Sequence, residues 1–176
     1  MTIMSRLLIL CAGANLAACV EVYKQEYPDY WPALTVNTER CPAVSGTFQN
    51  HAIDGSNPLA TWFVFSRDSM ASVDHLDFPA KDSGAFRFRF LAADNRVLLD
   101  RTWHEGKEYR CAHGAMEWHG ESFKFIGVVS NDLVRLQRNT RGDLVIREAG
   151  TAGGIVLVVP MYLSDRSWHA YRRVAE

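Results

Sequence analysis

Cysteine and histidine are the residue types in this chain with the widest range of chemistry. The sequence holds six histidines and four cysteines, namely Cys11, Cys19, Cys41 and Cys111. Three of the histidines lie near Cys111 in sequence: His104, His113 and His119. A zinc site needs three or four such ligands. Because no pair has the spacing of a known metal motif such as H-E-x-x-H or C-x-x-C, we assign no metal site and no cofactor.

Catalysis is the second chemistry that these residues could perform. Five acidic residues lie close to the same histidines: Asp100, Glu105, Glu108, Glu117 and Glu121. General acid–base catalysis needs carboxylates in different environments, which spacing over separate strands does not establish. The sequence has no G-x-S-x-G elbow and no glycine-rich phosphate loop. We assign no catalytic residue, and a small envelope enzyme or metal-binding protein that uses His104, His113 and His119 remains the alternative function.

The first eighteen residues have the pattern of a secretory signal peptide. Arg6 supplies the positive charge, residues 7–14 form an apolar run, and Ala17 and Ala18 are the small residues expected at a cleavage site. The apolar run is shorter than the roughly 20 residues that a helix needs to cross a bilayer. The alternative is an ordinary buried helix at the N-terminus. We therefore expect residues 1–18 to direct export.

The four residues Leu16-Ala17-Ala18-Cys19 resemble the lipobox of bacterial lipoprotein precursors. The resemblance covers only the first part of the chain, but the motif is specific. It implies that Cys19 is lipidated on its sulfur, becomes the first mature residue and is acylated on its new amine. It also implies outer-membrane sorting facing the periplasm, since Val20 stands where aspartate favours retention in the inner membrane. Two or three acyl chains would anchor the protein firmly, whereas one chain binds only marginally.

Two cysteines remain once Cys11 leaves with the signal and Cys19 is lipidated. An exported protein resides in a compartment that permits disulfides. We therefore predict a bond between Cys41 and Cys111, with two unpaired thiols as the alternative. In the chain-entropy model, a loop of about 70 residues closed in this way contributes roughly 4 kcal/mol of stability.

Charge and length limit the class of protein and the number of domains. The formal net charge is −1, with 19 basic and 20 acidic side chains, so the sequence gives no electrostatic argument for nucleic-acid binding. We expect one domain over residues 41–176. Residues 19–40 are expected to be the lipidated N-terminus and an aromatic-rich tether. This tether could pack on the domain, touch lipid headgroups or dock a partner.

Short alternating segments separated by turn residues dominate the rest of the chain. In residues 85–91, for example, Phe86, Phe88 and Phe90 alternate with Arg87 and Arg89. We expect about nine or ten short strands in an antiparallel sandwich or a lipocalin-like barrel.

Several individual elements are also predicted. Residues 59–65 should form a covered strand, and residues 69–76 the one short helix. Turns are expected at Asn131-Asp132, at Arg141-Gly142 and at Gly153-Gly154, and an edge or bulge at Pro160.

Aromatic residues raise the question of ligand binding. The five tryptophans are spread over five segments and are expected mainly in the core, with a pocket for an apolar or sugar-like ligand as the alternative. Gly46-Thr47-Phe48 faintly resembles the opening motif of lipocalins, although phenylalanine replaces the expected tryptophan. The expected function is a membrane-anchored binding or structural module of the envelope. Its partners would be the membrane and either an envelope protein or a small apolar ligand.

Overall fold

The computed structural model confirms an all-β protein. It describes residues 19–35, 41–63, 72–80, 85–120, 124–125, 128–156 and 159–174. The strands are β1 (Cys19–Lys24), β2 (Gly46–Ala52), β3 (His75–Phe78), β4 (Ala85–Leu91), β5 (Val97–His104), β6 (Arg110–Ala112), β7 (Ala115–His119), β8 (Lys124–Phe125), β9 (Val128–Arg138), β10 (Leu144–Val156) and β11 (Val159–Arg173).

All eleven strands belong to one sheet, in the order β5-β4-β3-β2-β11-β10-β9-β7-β6, with β1 beside β11 and β8 beside β9. The pairings are antiparallel except for that of β1 with β11, which is parallel. The sheet folds over itself, so that Trp103 of β5 and Trp118 of β7 meet with ring centroids 5.5 Å apart. Within the described residues β5 and β6 are not paired, so the fold is sandwich-like and the barrel alternative does not apply.

An aromatic core fills the space between the two halves. The predicted alternation in β4 is confirmed, since Phe86, Phe88 and Phe90 are buried and join this core. On the other face of β4, Arg87 binds Asp100 and Arg89 binds Asp77 across the neighbouring strands. The disulfide between Cys41 and Cys111 is present and packs against the core, linking the segment before β2 to β6.

The segment expected to be a strand at residues 59–65 is instead a buried 3-10 helix, Leu59–Trp62, where the structure describes it. Pro58 precedes the helix, and local hydrogen bonds stabilise it. The Asn50 side chain accepts from the Ala60 amide at 2.8 Å, and the Thr61 hydroxyl donates to the Pro58 carbonyl at 2.6 Å. An apolar run that is covered on all sides fits a strand or a short helix equally well, and these bonds favour the helix.

The predicted short helix at residues 69–76 is wrong in its described part. Residues 75–76 begin β3, which pairs with β2 on one side and β4 on the other. Leu76 and Phe78 are buried, so the apolar spacing follows the two-residue period of a strand. Residues 69–71 lie outside the described part of the chain.

Two predicted turns are interior positions of long strands. Asn131 and Asp132 pair with Thr151 and Gly150 inside β9 and β10. Gly153 and Gly154 also continue β10, because β9 and β11 supply hydrogen-bond partners on both sides. The turn at Arg141-Gly142 is confirmed, with a φ of 90° at Gly142. Pro160 lies near the start of β11, opposite Ile155.

The aromatic segment after β1 packs on the outer face of the sheet, which is one of the three arrangements considered for it. Tyr27, Trp31 and Leu34 contact a small cluster formed by Val145, Trp168 and Ala170. Backbone bonds hold the segment at both ends, from the Gln25 amide to the Arg166 carbonyl and from the Thr35 amide to the Arg138 carbonyl. The segment is therefore a cover for β10 and β11.

Candidate functional site at the Cys19 end of the sheet

Cys19 lies in the first strand of the folded domain. β1 pairs in parallel with β11, from Cys19 opposite Met161 to Lys24 opposite Arg166. The backbone at Cys19 is therefore held in the sheet, next to the end of β10 and the start of β11.

The same end of the sheet extends beyond the core. In β9, β10 and β11, the residues that join the aromatic core are Val134, Leu136, Leu144, Ile146 and Tyr171. Residues 128–132, 150–156 and 159–165, together with β1, form what we call the sheet extension. Of the residues in this extension whose side chains the structure describes, 22–24, 130–132, 150–154 and 162–165, none belongs to either hydrophobic cluster.

Large apolar side chains are exposed on the sheet extension. Their exposed fractions are 50% for Val22, 62% for Tyr23, 46% for Tyr162 and 37% for Leu163. The four residues lie on β1 and β11, which are adjacent in the sheet. Since successive strand residues point to opposite faces, both faces carry exposed apolar groups. Val22 and Tyr162 lie on one face of the sheet, and Tyr23 and Leu163 lie on the other.

Three carboxylates lie close together on adjacent strands: Asp132 on β9, Glu148 on β10 and Asp165 on β11. Asp132 and Asp165 flank Gly150 across three strands, and a Cβ added at Gly150 would collide with both carboxylates. Burial and the neighbouring Asp165 raise the pKa of Asp132. Burial, followed by Asp165 and Asp132, raises the pKa of Glu148. Glycine at position 150 is thus needed for the carboxylates to approach, and their proximity costs stability when they are ionised.

The three histidines of the alternative function do not form a metal site in the described residues. His104 ends β5, His113 lies in the turn between β6 and β7, and His119 ends β7. All three side chains are exposed, and His119 contacts the Asn131 side chain at 3.2 Å. Among the described residues, no three His, Cys, Asp or Glu side chains form a group that could hold a metal ion.

The acidic residues near these histidines have separate partners. Glu117 is fully buried, with its oxygens 2.6 Å from Arg135 Nε and 3.0 Å from an Arg110 terminal nitrogen. Hydrogen bonding to the His104 amide lowers the pKa of Glu108, and the bond from Arg87 lowers that of Asp100. Glu121 lies outside the described residues. Glu108 and Glu117 line one surface pocket together with His119. Each of these two carboxylates already has its own partner, Glu108 at the His104 amide and Glu117 at the two arginines.

The tryptophans occupy packed positions, as expected. Trp62, Trp103 and Trp118 belong to or pack against the aromatic core, and Trp31 and Trp168 form part of the outer cluster. The Trp168 indole donates to the Gln25 carbonyl at 3.1 Å, and Arg147 lies 5.5 Å above its ring centroid. The aromatic residues thus connect the cover segment to the sheet.

A chain of polar side chains, which the sequence analysis missed, crosses from the turn after β2 to β10. The Ser56 hydroxyl lies 2.6 Å from His169 Nδ1, and the Ser167 hydroxyl lies 3.0 Å from His169 Nε2. Ser167 also contacts Glu148 at 3.3 Å. Ser56 and His169 are separated by 113 residues, so no local spacing could reveal the pair.

Comparison with known protein families, with curated proteins and with solved structures finds no match. No helix in the described residues is long and apolar enough to cross a membrane. The functional argument therefore depends on the chain's own residues.

Proposed function

We propose that this protein is a lipid-anchored module of the bacterial envelope, held at a membrane through Cys19, where it serves a binding or structural role. The observation that carries the proposal is the position of the lipobox-like cysteine. It begins a strand whose neighbourhood exposes Val22, Tyr23, Tyr162 and Leu163. The motif and the exposed apolar surface are independent features, and they occur at the same end of the molecule.

The physical chemistry of the anchor fits a membrane-proximal sheet extension. Each buried methylene of an acyl chain contributes about 0.8 kcal/mol, so two or three chains hold a protein at the bilayer. Tyrosine side chains favour the boundary between headgroups and hydrocarbon. Tyr23 and Tyr162 would therefore stabilise contact at a surface to which the acyl chains already bring them.

The outer membrane, facing the periplasm, is the proposed location because Val20 follows Cys19. The disulfide between Cys41 and Cys111 suits an exported protein, because disulfides form and persist in oxidising compartments. Aromatic side chains fill the space between the two halves of the sheet. We therefore propose that partners, either an envelope protein or a small apolar ligand, bind at the surface.

The proposal is tested by intact mass measurement on protein extracted from membranes of the producing bacterium. We expect a mass that begins at Cys19 and carries acyl groups. The variant Cys19→Ser should lose the acyl mass and leave the membrane fraction. Cys11→Ser is the matched control, since that residue leaves with the signal and should not change the product. An unmodified Cys19, or cleavage at another position, would refute the anchor.

A further inference from the structure

The polar chain from Ser56 to Glu148 has the arrangement of an activated nucleophile. We propose that Ser56 is a catalytic serine, with His169 as its general base, that accepts an acyl group from small acyl esters. In enzymes of this type the nucleophile contacts the base, and a third group orients the base. Here Ser167 and Glu148 supply the third part.

The direction of each hydrogen bond follows from the chemistry of the groups. An ionised carboxylate only accepts, so the Ser167 hydroxyl donates to Glu148. Ser167 Oγ then accepts from His169 Nε2, which must carry the ring proton. His169 Nδ1 is left unprotonated and accepts the Ser56 hydroxyl at 2.6 Å. Each donor in the chain thus meets an acceptor, and the free lone pair of the imidazole points at Ser56.

Burial keeps the base in the neutral form that the reaction requires. His169 is 7% exposed, and its ring lies 5.2 Å from that of Trp62. Burial lowers the pKa of His169, while Asp54, whose carboxylate lies 3.9 Å from Nδ1, raises it. The net shift is downward, so the imidazole is available as a base at neutral pH.

The turn that carries Ser56 is exposed to solvent yet fixed in position. The Ile53 amide donates to the Ala170 carbonyl at 2.7 Å, and the Tyr171 hydroxyl donates to the Asn57 carbonyl at 2.8 Å. The Ser56 amide donates to the Asp54 side chain at 3.0 Å. A substrate can therefore reach Ser56 from solvent, while the buried His169 ring accepts the hydrogen bond of the Ser56 hydroxyl.

The proposed reaction is an acyl transfer in two steps. Ser56 Oγ attacks the ester carbonyl, its proton passes to His169 Nδ1, and the alcohol leaves with that proton. The product is an acyl group bonded to Ser56 Oγ. Water then attacks this ester, again losing a proton to His169, and releases the carboxylic acid with Ser56 restored. The proposal is independent of the membrane anchor, because the site uses none of the residues of the sheet extension.

The test uses a fluorophosphonate probe on the full-length protein, with the labelled residue located by peptide mass spectrometry. We expect one label on Ser56 and none on Ser56→Ala. His169→Gln should lower the labelling rate by about 100-fold or more, as expected for loss of a general base. Ser72→Ala is the matched control, because Ser72 is an exposed serine outside the hydrogen-bonded chain of Ser56 and His169. In this variant, Ser56 should be labelled at the rate of the parent protein. Circular dichroism should show that each variant is folded.

The pH profile of labelling distinguishes a catalytic role of these hydrogen-bonded side chains from a purely structural one. The rate should rise with pH to a plateau, with its midpoint below 6.5, the ordinary pKa of histidine, because burial of His169 opposes its protonation. Asp54 and Glu148 are the charged groups that approach this histidine, directly and through Ser167. Ser167→Ala should move the midpoint while leaving the label on Ser56. Absence of any label on the folded protein, or persistent labelling of Ser56→Ala, would overturn the proposal.

Discussion

At the residue scale, the close approach of the carboxylates of Asp132 and Asp165 within the sheet extension lowers the stability of the fold. Asp132 and Asp165 approach each other over Gly150, where a side chain would displace them. The pKa of Asp132 is raised, mainly by burial and then by Asp165. A carboxylate with a raised pKa binds its proton more tightly in the folded state than in the unfolded chain. Its ionisation therefore destabilises the fold as the pH rises through that raised pKa.

We predict that Asp132→Asn stabilises the protein at pH 7, because asparagine removes the desolvated charge and its repulsion. Asp132 is partly solvated, so the gain should be no more than about 1 kcal/mol. It should disappear as the pH falls below about 3.8, the ordinary value, since Asp132 is then protonated in both states. Urea denaturation at several pH values measures this. Asp29→Asn, an exposed position, is the control, and an equal gain there would contradict the explanation.

Glu117 is the clearest case of a buried charge whose partners hold it in place. Arg135 and Arg110 both contact this fully buried carboxylate. Glu117→Ala should lower the free energy of unfolding by about 2–3 kcal/mol, less than for a fully buried pair because Arg135 is partly solvated. Arg110→Ala removes a largely exposed partner and should cost less than about 1 kcal/mol. Equal losses for the two variants in urea denaturation would contradict this ranking.

At the element scale, the disulfide joins parts of the chain that are distant in sequence. Cys41 and Cys111 are separated by 70 residues, which sets the entropy that the bond removes from the unfolded chain. Reduction should therefore lower stability by about 4 kcal/mol in the chain-entropy model. The measurement is the denaturation midpoint with and without reductant. The double variant Cys41→Ser/Cys111→Ser should match the reduced parent and should not respond to reductant.

The cover segment after β1 should depend on Trp31. This side chain packs with Tyr27, at 5.8 Å between ring centroids, in the cluster above Trp168. Trp31→Ala should cost about 1–2 kcal/mol, because a half-buried aromatic group is lost. Limited proteolysis should then cut within residues 25–35 sooner than in the parent. Asp29→Ala, at an exposed position of the same segment, should leave the cleavage rate unchanged.

The sequence predicts those elements whose pattern is local. The alternation of Phe86, Phe88 and Phe90 identifies β4, and Arg141-Gly142 marks the turn between β9 and β10. The sequence does not predict that Asn131-Asp132 and Gly153-Gly154 lie within strands. Turn-forming residues lose their local preference when neighbouring strands pair with them on both sides.

The candidate sites also differ in whether a local sequence motif identifies them. The sequence singles out Cys19 as a candidate because the lipobox-like motif is four consecutive residues. The exposed apolar side chains beside it are not, because exposure depends on where the second layer of the sandwich ends. The contact between Ser56 and His169 is equally hidden, since it depends on a turn after β2 meeting β11.

At the scale of the whole molecule, the three longest strands define a long axis with two different ends. One end carries the turn at Arg141, and the other carries Cys19, paired opposite Met161. β10 runs for 13 residues between these ends. At roughly 3.3 Å per residue, the two ends are about 40 Å apart along the strand. β1 is paired with β11 from Cys19 onward. An acyl anchor at Cys19 would therefore be joined to the domain without a flexible linker.

If the protein is anchored through Cys19 as proposed, we predict that it has a fixed orientation on the membrane. A fluorophore on Leu163→Cys should be quenched by lipids that carry a nitroxide at the bilayer surface. The same fluorophore on Arg141→Cys should not be quenched, since a separation of about 40 Å exceeds the reach of contact quenching. The measurement uses membrane-anchored protein in vesicles, with Cys19→Ser as the control that should abolish the quenching at position 163. Equal quenching at the two positions would mean that the domain tumbles freely, and the exposed apolar side chains of the sheet extension would then need another partner.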